Sequence, residues 1–325
     1  MPADHLTEAA PAQLSAAVLA VLAGQDEETA SADHGVPTAE LSEAVQTYLA
    51  AGYAALEQRS QQRWSQVFIE FPAWEQAEAV AATELPACLH RLQIDGWWFL
   101  RKHPCWRLRL RFTILEREPR VTALQIAETF NGLASAGAIT GWRHGIYEPE
   151  YAAFGGSAAM EIAHELFCAD SRGVLQYARI PPAGIGRREL SVMLLHTLLR
   201  SAELDWFERG DVFHRVAQLR PTSLDPAPSA ALDRLTDDLR KLAYASTDHS
   251  VFDPCGPARF VGAWQDAFHT AGRRLAAASR DGRLDRGLRA VLAHVVIFHW
   301  NRLGLPATTQ SVLARAATAA FLPRT

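Results

Sequence analysis

Arginine recurs at every second position in the run Trp106-Arg107-Leu108-Arg109-Leu110-Arg111-Phe112. Alternation with that period belongs to a β-strand, whose successive side chains point to opposite faces. Arg107, Arg109 and Arg111 therefore form a row on one face, while Trp106, Leu108, Leu110 and Phe112 turn towards a core on the other. Such a row can receive carboxylates or polarise carbonyl groups, because each guanidinium fork donates two parallel hydrogen bonds. The same pattern also suits a solvated strand face whose charges discourage edge-to-edge pairing.

Two further groups carry chemistry. The first is Tyr147-Glu148-Pro149-Glu150, followed by Phe154-Gly155-Gly156. Pro149 biases Glu148 to an extended backbone, and the glycine pair permits a turn that other residues resist. This loop is expected to hold Tyr147 and Glu150 opposite the arginine row. There Glu150 would orient a guanidinium or, if desolvated, act as a base. The second group is His299-Trp300-Asn301-Arg302. His299 can exchange protons at neutral pH, and Asn301 and Arg302 can hold a carbonyl or carboxylate. Arg302 equally suits the carbonyl end of its own helix. His164 shares a helical face with Met160 and Phe167 and reads as a core histidine. Asp170-Ser171 reads as the cap of a following helix. Gly155-Gly156 lacks the lysine of a phosphate loop and the spacing of a dinucleotide fingerprint, and His164-Glu165 lacks the second histidine of a zinc protease. Neither a metal nor an organic cofactor is indicated.

These residues need a scaffold, and 325 residues suffice for a large core. Ser65–Phe71, Trp97–Lys102, Trp106–Phe112 and Ala138–Tyr147 read as strands, the middle two separated by His103-Pro104-Cys105. Helices are expected over Pro11–Gly24, from Thr38, and over Trp74–Leu92 and Thr122–Ala136. Beyond Ser157 further helices are expected over 158–169, 188–209, 231–244, 257–279 and 284–303, and Gln25–Gly35 reads as a polar linker. The fold class is α+β: a mixed, largely antiparallel sheet packed with many helices. Residues 1–60 form an N-terminal helical segment and residues 61–325 the main body. With 32 basic and 36 acidic residues the net charge is −4, which argues against a nucleic-acid partner. Four scattered cysteines suit reduced thiols, and no apolar stretch is long enough to span a bilayer. Those features point to a cytoplasmic protein.

Taken in order, several segments resemble one family. They are Trp97-Trp98-Phe99 with Arg101-Lys102, the arginine strand, Tyr147–Glu150 with Phe154-Gly155-Gly156, Ala163-His164 with Leu166-Phe167 and Asp170-Ser171, and His299–Arg302. The family is that of thiopeptide-type bacteriocin biosynthesis, which is similar to the C-terminal elimination domain of class I lantibiotic dehydratases. The resemblance runs from about Ala39 to Leu305. It implies a fold like that elimination domain, no cofactor, and as partner a leader-bearing precursor peptide, dehydrated and azole-containing. Other biosynthetic enzymes and a second copy of the chain are further partners it allows, and the N-terminal helices are a candidate leader contact.

Two activities occur in the family. Elimination members remove glutamate from glutamylated serine or threonine to leave a dehydroamino acid. A divergent branch joins two dehydroalanines by a formal [4+2] cycloaddition, then aromatises the ring and expels the leader. Elimination members carry an arginine just before the aromatic-Gly-Gly, where this chain has Ala153. They also carry a histidine four residues before the Asn-Arg pair, where this chain has Ile297. Those departures point to the cycloaddition branch, with His299, Glu150 and Tyr147 as proton donors and acceptors. Arg107, Arg109, Arg111, Asn301 and Arg302 would then bind substrate. Glutamate elimination is the alternative, and a non-catalytic precursor-binding module a second one.

Overall fold

The alternating runs become strands and the apolar stripes become helices. A computed structural model describes residues 11–92, 94–112, 119–180, 185–221, 229–245 and 261–322. Its strands are β1 (Trp64–Glu70), β2 (Gly96–Lys102), β3 (Cys105–Arg111) and β4 (Gly141–Gly145). They pair antiparallel in the order β2-β3-β1-β4, so the chain has the expected α+β class. The helices are α1 (Pro11–Leu22), α2 (Glu27–His34), α3 (Thr38–Gln62), α4 (Ala77–Arg91), α5 (Pro119–Ser135), α6 (Tyr151–Phe154), α7 (Ser157–Ala178), α8 (Arg187–Ser201), α9 (Trp206–Leu219), α10 (Ser229–Ala245), α11 (Gly262–Arg280), α12 (Leu288–Arg302) and α13 (Ala307–Phe321).

Met1–Gln62 and Arg63–Thr325 are separate compact units. In the first, Ala17 and Val18 of α1, Ala30 of α2 and Leu41 and Val45 of α3 form a small core. The expected linker over Gln25–Gly35 is in fact largely α2. Asp26 accepts a hydrogen bond from the Thr29 N–H at the helix start, and Gly35 closes the helix in the left-handed region at φ 64°. Ala30 supplies the apolar anchor that a linker lacks.

In the second unit the register decides what each sheet face offers. Arg109 lies between Trp98 and Gln66, Arg107 between Leu100 and Phe68, and Arg111 between Gly96 and Trp64. The opposite face carries Val67, Ile69, Phe99, Leu108 and Leu110, all fully buried, and the Phe130 ring of α5 packs tilted against Trp142 there. Burying both faces explains why the arginine row is not a solvated exterior. Its own face is covered by α7 and α12, whose Phe167 and Phe298 meet the Trp98 ring at 5.0 and 6.3 Å.

Two polar devices hold α7 and α12 to the sheet. The Ser171 hydroxyl accepts from the backbone N–H of Phe99 on the edge strand β2, at 3.1 Å. Glu78 of α4 receives both ends of the Arg187 fork, at 3.0 and 2.8 Å, and also binds Arg101 of β2. Arg187 Nη1 donates in addition to the Leu303 carbonyl at 2.6 Å, which ties the end of α12 to the same knot.

Other boundaries depart from expectation. The helix expected over 188–209 is two helices, because Asp205 starts α9 with a reciprocal cap to Glu208. Residues beyond Leu303 form α13, whose inner face buries Leu313, Ala317 and Phe321. The part of the expected 257–279 helix before Val261 lies outside the described residues. No described helix is long and apolar enough to cross a membrane.

Candidate functional site

The arginine face is built from guanidinium groups interleaved with aromatic rings. Arg109 Cζ stands 4.3 Å above the Trp98 ring and 5.4 Å from that of Tyr147. Arg111 lies over Trp64, and Phe68 has Arg107 on one side and Arg143 of β4 on the other, the latter at 3.7 Å. Arg109 is only 2% exposed. Burial pulls its pKa down to about 10, which still leaves a cation at neutral pH. Arg107 and Arg111 are half-buried and reach solvent at the two ends of the row.

The loop after β4 brings the expected partners to this face. Gly155 and Gly156 adopt φ of 76° and 97°, conformations that only glycine takes readily, and so close the single turn of α6. Glu150 heads that turn, its carbonyl accepting from the N–H groups of Ala153 and Phe154. Burial pushes the Glu150 carboxyl up, and the nearby Arg109 and Arg107 pull it partly back. Its Oε2 is enclosed, with no hydrogen-bond partner among the described residues. Tyr147 points inward, its Oη 2.7 Å from His164 Nε2. Burial pushes the phenol up, and burial with Arg111 and Arg109 pulls His164 down to about 3. Phenol and imidazole are therefore both neutral at pH 7 and share a hydrogen-bonding proton. His164 is the core histidine that its helical spacing suggests, and it is also the residue that positions Tyr147.

The His299 group does something else. Asp170 is in the middle of α7, not at a helix start as its Asp-Ser signature suggests, and it is fully buried. Three side chains from two other helices donate to it: His299 Nδ1 at 2.9 and 3.0 Å, Arg302 Nε at 2.5 Å and Trp264 Nε1 at 2.9 Å. Gly173 makes room for the Trp264 ring, since a Cβ there would lie 2.2 Å from it. Asn301 faces away, its Oδ1 accepting from Gln310 Nε2 of α13 at 2.9 Å. Between the two clusters stand two rings: Arg302 Cζ lies 4.3 Å over Phe167, and Phe167 meets Trp98. The structure thus gathers Arg107, Arg109, Arg111, Tyr147 and Glu150, and gives His299, Asn301 and Arg302 internal partners. Sequence reasoning passed over Trp64 and Arg143, gave Trp98 no place in the site, and read Asp170 as a helix cap.

The buried neutral histidines have a consequence for stability. His164 and His196 both titrate at about 3 in the folded chain, His196 through burial reinforced by Arg209 and Arg200. The unfolded histidines titrate near 6.5, so between those values the unfolded state binds more protons and stability falls as pH falls. Each histidine should contribute about 2 kcal/mol of loss between pH 8 and pH 5. Urea denaturation at the two pH values checks this. His196→Asn should remove about half of the difference, and an unchanged pH slope would refute the assignment.

An antiparallel sheet under a thick helical cover is an architecture that this chain shares with solved structures. The tRNA-dependent lantibiotic dehydratase MibB from Microbispora sp. 107891 superposes with a TM-score of 0.57 at 20% identity, covering 79% of this chain and 28% of that longer one. The pyridine synthase TbtD from thiomuracin biosynthesis superposes with a TM-score of 0.53 at 14% identity, covering 79% of this chain and 97% of that one. No curated protein sequence matches significantly. Residues 64–321 match the family described as lantibiotic biosynthesis dehydratase C-term, and the chain belongs to that family.

Proposed function

We propose that the chain is a thiopeptide pyridine synthase. It joins two dehydroalanines of a dehydrated, azole-containing, leader-bearing peptide by a formal [4+2] cycloaddition. The ring then aromatises with loss of water and of the leader. The observation that carries this reading is the neutral Tyr147–His164 pair set under Arg109 and beside Glu150.

Bringing two alkenes together is largely a matter of positioning, and well-oriented intramolecular partners reach effective molarities of ~10⁵ M or more. Proton transfers are what require side chains. One amide must pass to its imidic-acid form, gaining a proton on oxygen and losing one from nitrogen. Later a hydroxyl leaves as water and the leader leaves as a carboxamide, each taking a proton on departure while the ring gives one up. Glu150 holds its proton more readily than a solvated glutamate, so it can both give and take one. With His164 donating from Nε2 to the phenol oxygen, the Tyr147 proton is left free for a substrate carbonyl. Arg109, flanked by Arg107 and Arg111, stabilises negative charge as it develops on that oxygen. Ala153 offers no grip on a glutamyl carboxylate, and its carbonyl accepts from Arg286 at 3.3 Å.

The guanidinium row itself favours a second reading, in which it holds the carboxylate of a glutamylated residue and Glu150 removes the α-proton. Mass spectrometry separates the two. Purified chain should release leader from a fully dehydrated, azole-bearing peptide and leave a glutamylated peptide intact. Loss of glutamate without leader release would overturn the preferred reading.

A further inference from the structure

A cavity of about 1040 Å³, not lined by Arg109, lies between the end of α4, the start of β2 and the second half of α7. Its floor is apolar: Leu89, Trp97 and Leu175 are buried beneath it. Its rim is basic, formed by exposed Arg91, Arg172 and Arg179. No described carboxylate lies within ion-pair distance of these three. Asp95, the one acid on the wall among the described residues, is paired with Arg63 at 3.6 Å. Arg172 of α7 and Arg179, the residue that caps the end of that helix, are seven residues apart, so they lie on one side of it about 10 Å apart along its axis. Three residues of extended chain span about that distance.

The cavity also leads somewhere. Gly96 forms part of its wall and pairs in the sheet with Arg111, the end of the arginine row. A Cβ on Gly96 would lie 3.4 Å from Arg111 Nη2 and 3.1 Å from Cys168 Sγ, so row and cavity are separated by little more than a glycine.

We infer that this cavity docks an acidic, apolar segment of the peptide substrate, its carboxylates on Arg172 and Arg179 and its apolar side chains on Trp97 and Leu175. The inference rests on the reading of a peptide substrate given above. It adds a holding point outside the reacting centre, which lets a long substrate be gripped while its reacting residues move over Arg109. An unmatched basic rim over an apolar floor selects carboxylate-bearing chains over basic or purely apolar ones.

Fluorescence anisotropy with two labelled octapeptides tests it, one alternating glutamate with leucine and one alternating lysine with leucine. The acidic peptide should bind the full chain, and more weakly as salt rises. Charge reversal in the Arg172→Glu/Arg179→Glu variant should weaken that binding by at least roughly tenfold. Arg172→Gln, milder on a surface position, should weaken it by less. No binding of the acidic peptide, equal binding of the basic one, or affinity indifferent to both variants would overturn the inference. The turnover assay is independent of these outcomes. Docking that persists without leader release would remove the proposed reaction and keep the cavity, and the reverse pattern would remove the cavity alone.

Discussion

Arg109→Lys is expected to lower leader release from a dehydrated peptide by ~10²–10³-fold, the range seen when a preorganised donor to a developing oxyanion is lost. Lysine keeps a cation above Trp98, so the aromatic contacts of the site are largely retained. It loses the planar fork, and at a position only 2% exposed its ammonium surrenders a proton more easily than a guanidinium does. The loss should fall on kcat more than on KM, because the interaction strengthens as charge builds on the carbonyl oxygen. Tyr147→Phe provides the comparison: it removes the phenol proton and its bond to His164 while keeping the ring against Trp64 and Trp98. Steady-state kinetics and a thermal melt on each variant are sufficient. Turnover reduced by less than about threefold, with affinity falling in parallel, would mean that Arg109 binds substrate without stabilising the developing charge.

How far the sequence showed this site depends on one residue of loop length. The period-two alternation of Trp106–Phe112 is local, so it revealed the arginine face without any partner strand. Placing Trp98 against Arg109 needed the hairpin register. A three-residue break at His103-Pro104-Cys105 would pair Lys102 with Trp106 and put Trp98 opposite Leu110. The observed two-residue loop pairs Lys102 with Cys105 and Trp98 with Arg109. A one-residue slip moves a whole strand to the other face, and for that reason the indole floor was not legible. Arg143 was hidden differently, because β4 is short and its Trp-Arg-His centre has no apolar alternation to mark it.

Asp170 shows the opposite failure, a local signal overruled by distant partners. Asp-Ser ahead of further helical sequence is a good cap signature, but the donors that claim this carboxylate lie 94, 129 and 132 residues away. Missing α13 has a related cause: its alanine-rich stripe gains definition only from the packing of Phe321 against Trp206 and Phe213. What the sequence did mark on α12 was polar character in the right residues. It could not show that Phe298 would face the sheet while His299 turned to Asp170.

The Asp170 cluster carries the largest expected effect on stability. Burial alone would raise the Asp170 pKa, and His299 and Arg302 outweigh it and hold the carboxylate ionised. Asp170→Ala leaves Arg302, itself wholly enclosed, with no counter-charge, and it orphans the indole N–H of Trp264 and the donor on His299. Breaking a buried ion pair from one side costs about 3–5 kcal/mol, a large share of the roughly 5–15 kcal/mol that keeps a typical domain folded. Asp170→Asn keeps the volume and one acceptor but supplies no charge, and it should cost somewhat less. Removing the stranded cation as well should recover part of the loss, so the Asp170→Ala/Arg302→Met pair is expected to be more stable than the sum of its single variants. Urea unfolding followed by tryptophan fluorescence measures Asp170→Ala, Asp170→Asn, Arg302→Met and the double variant, with Trp264 as a reporter inside the cluster. Additive costs in the double variant would mean that the carboxylate is not there to balance Arg302. Its role would then lie in holding His299 and Trp264, and with them the junction of α7, α11 and α12 that supports Phe167 beneath the arginine face.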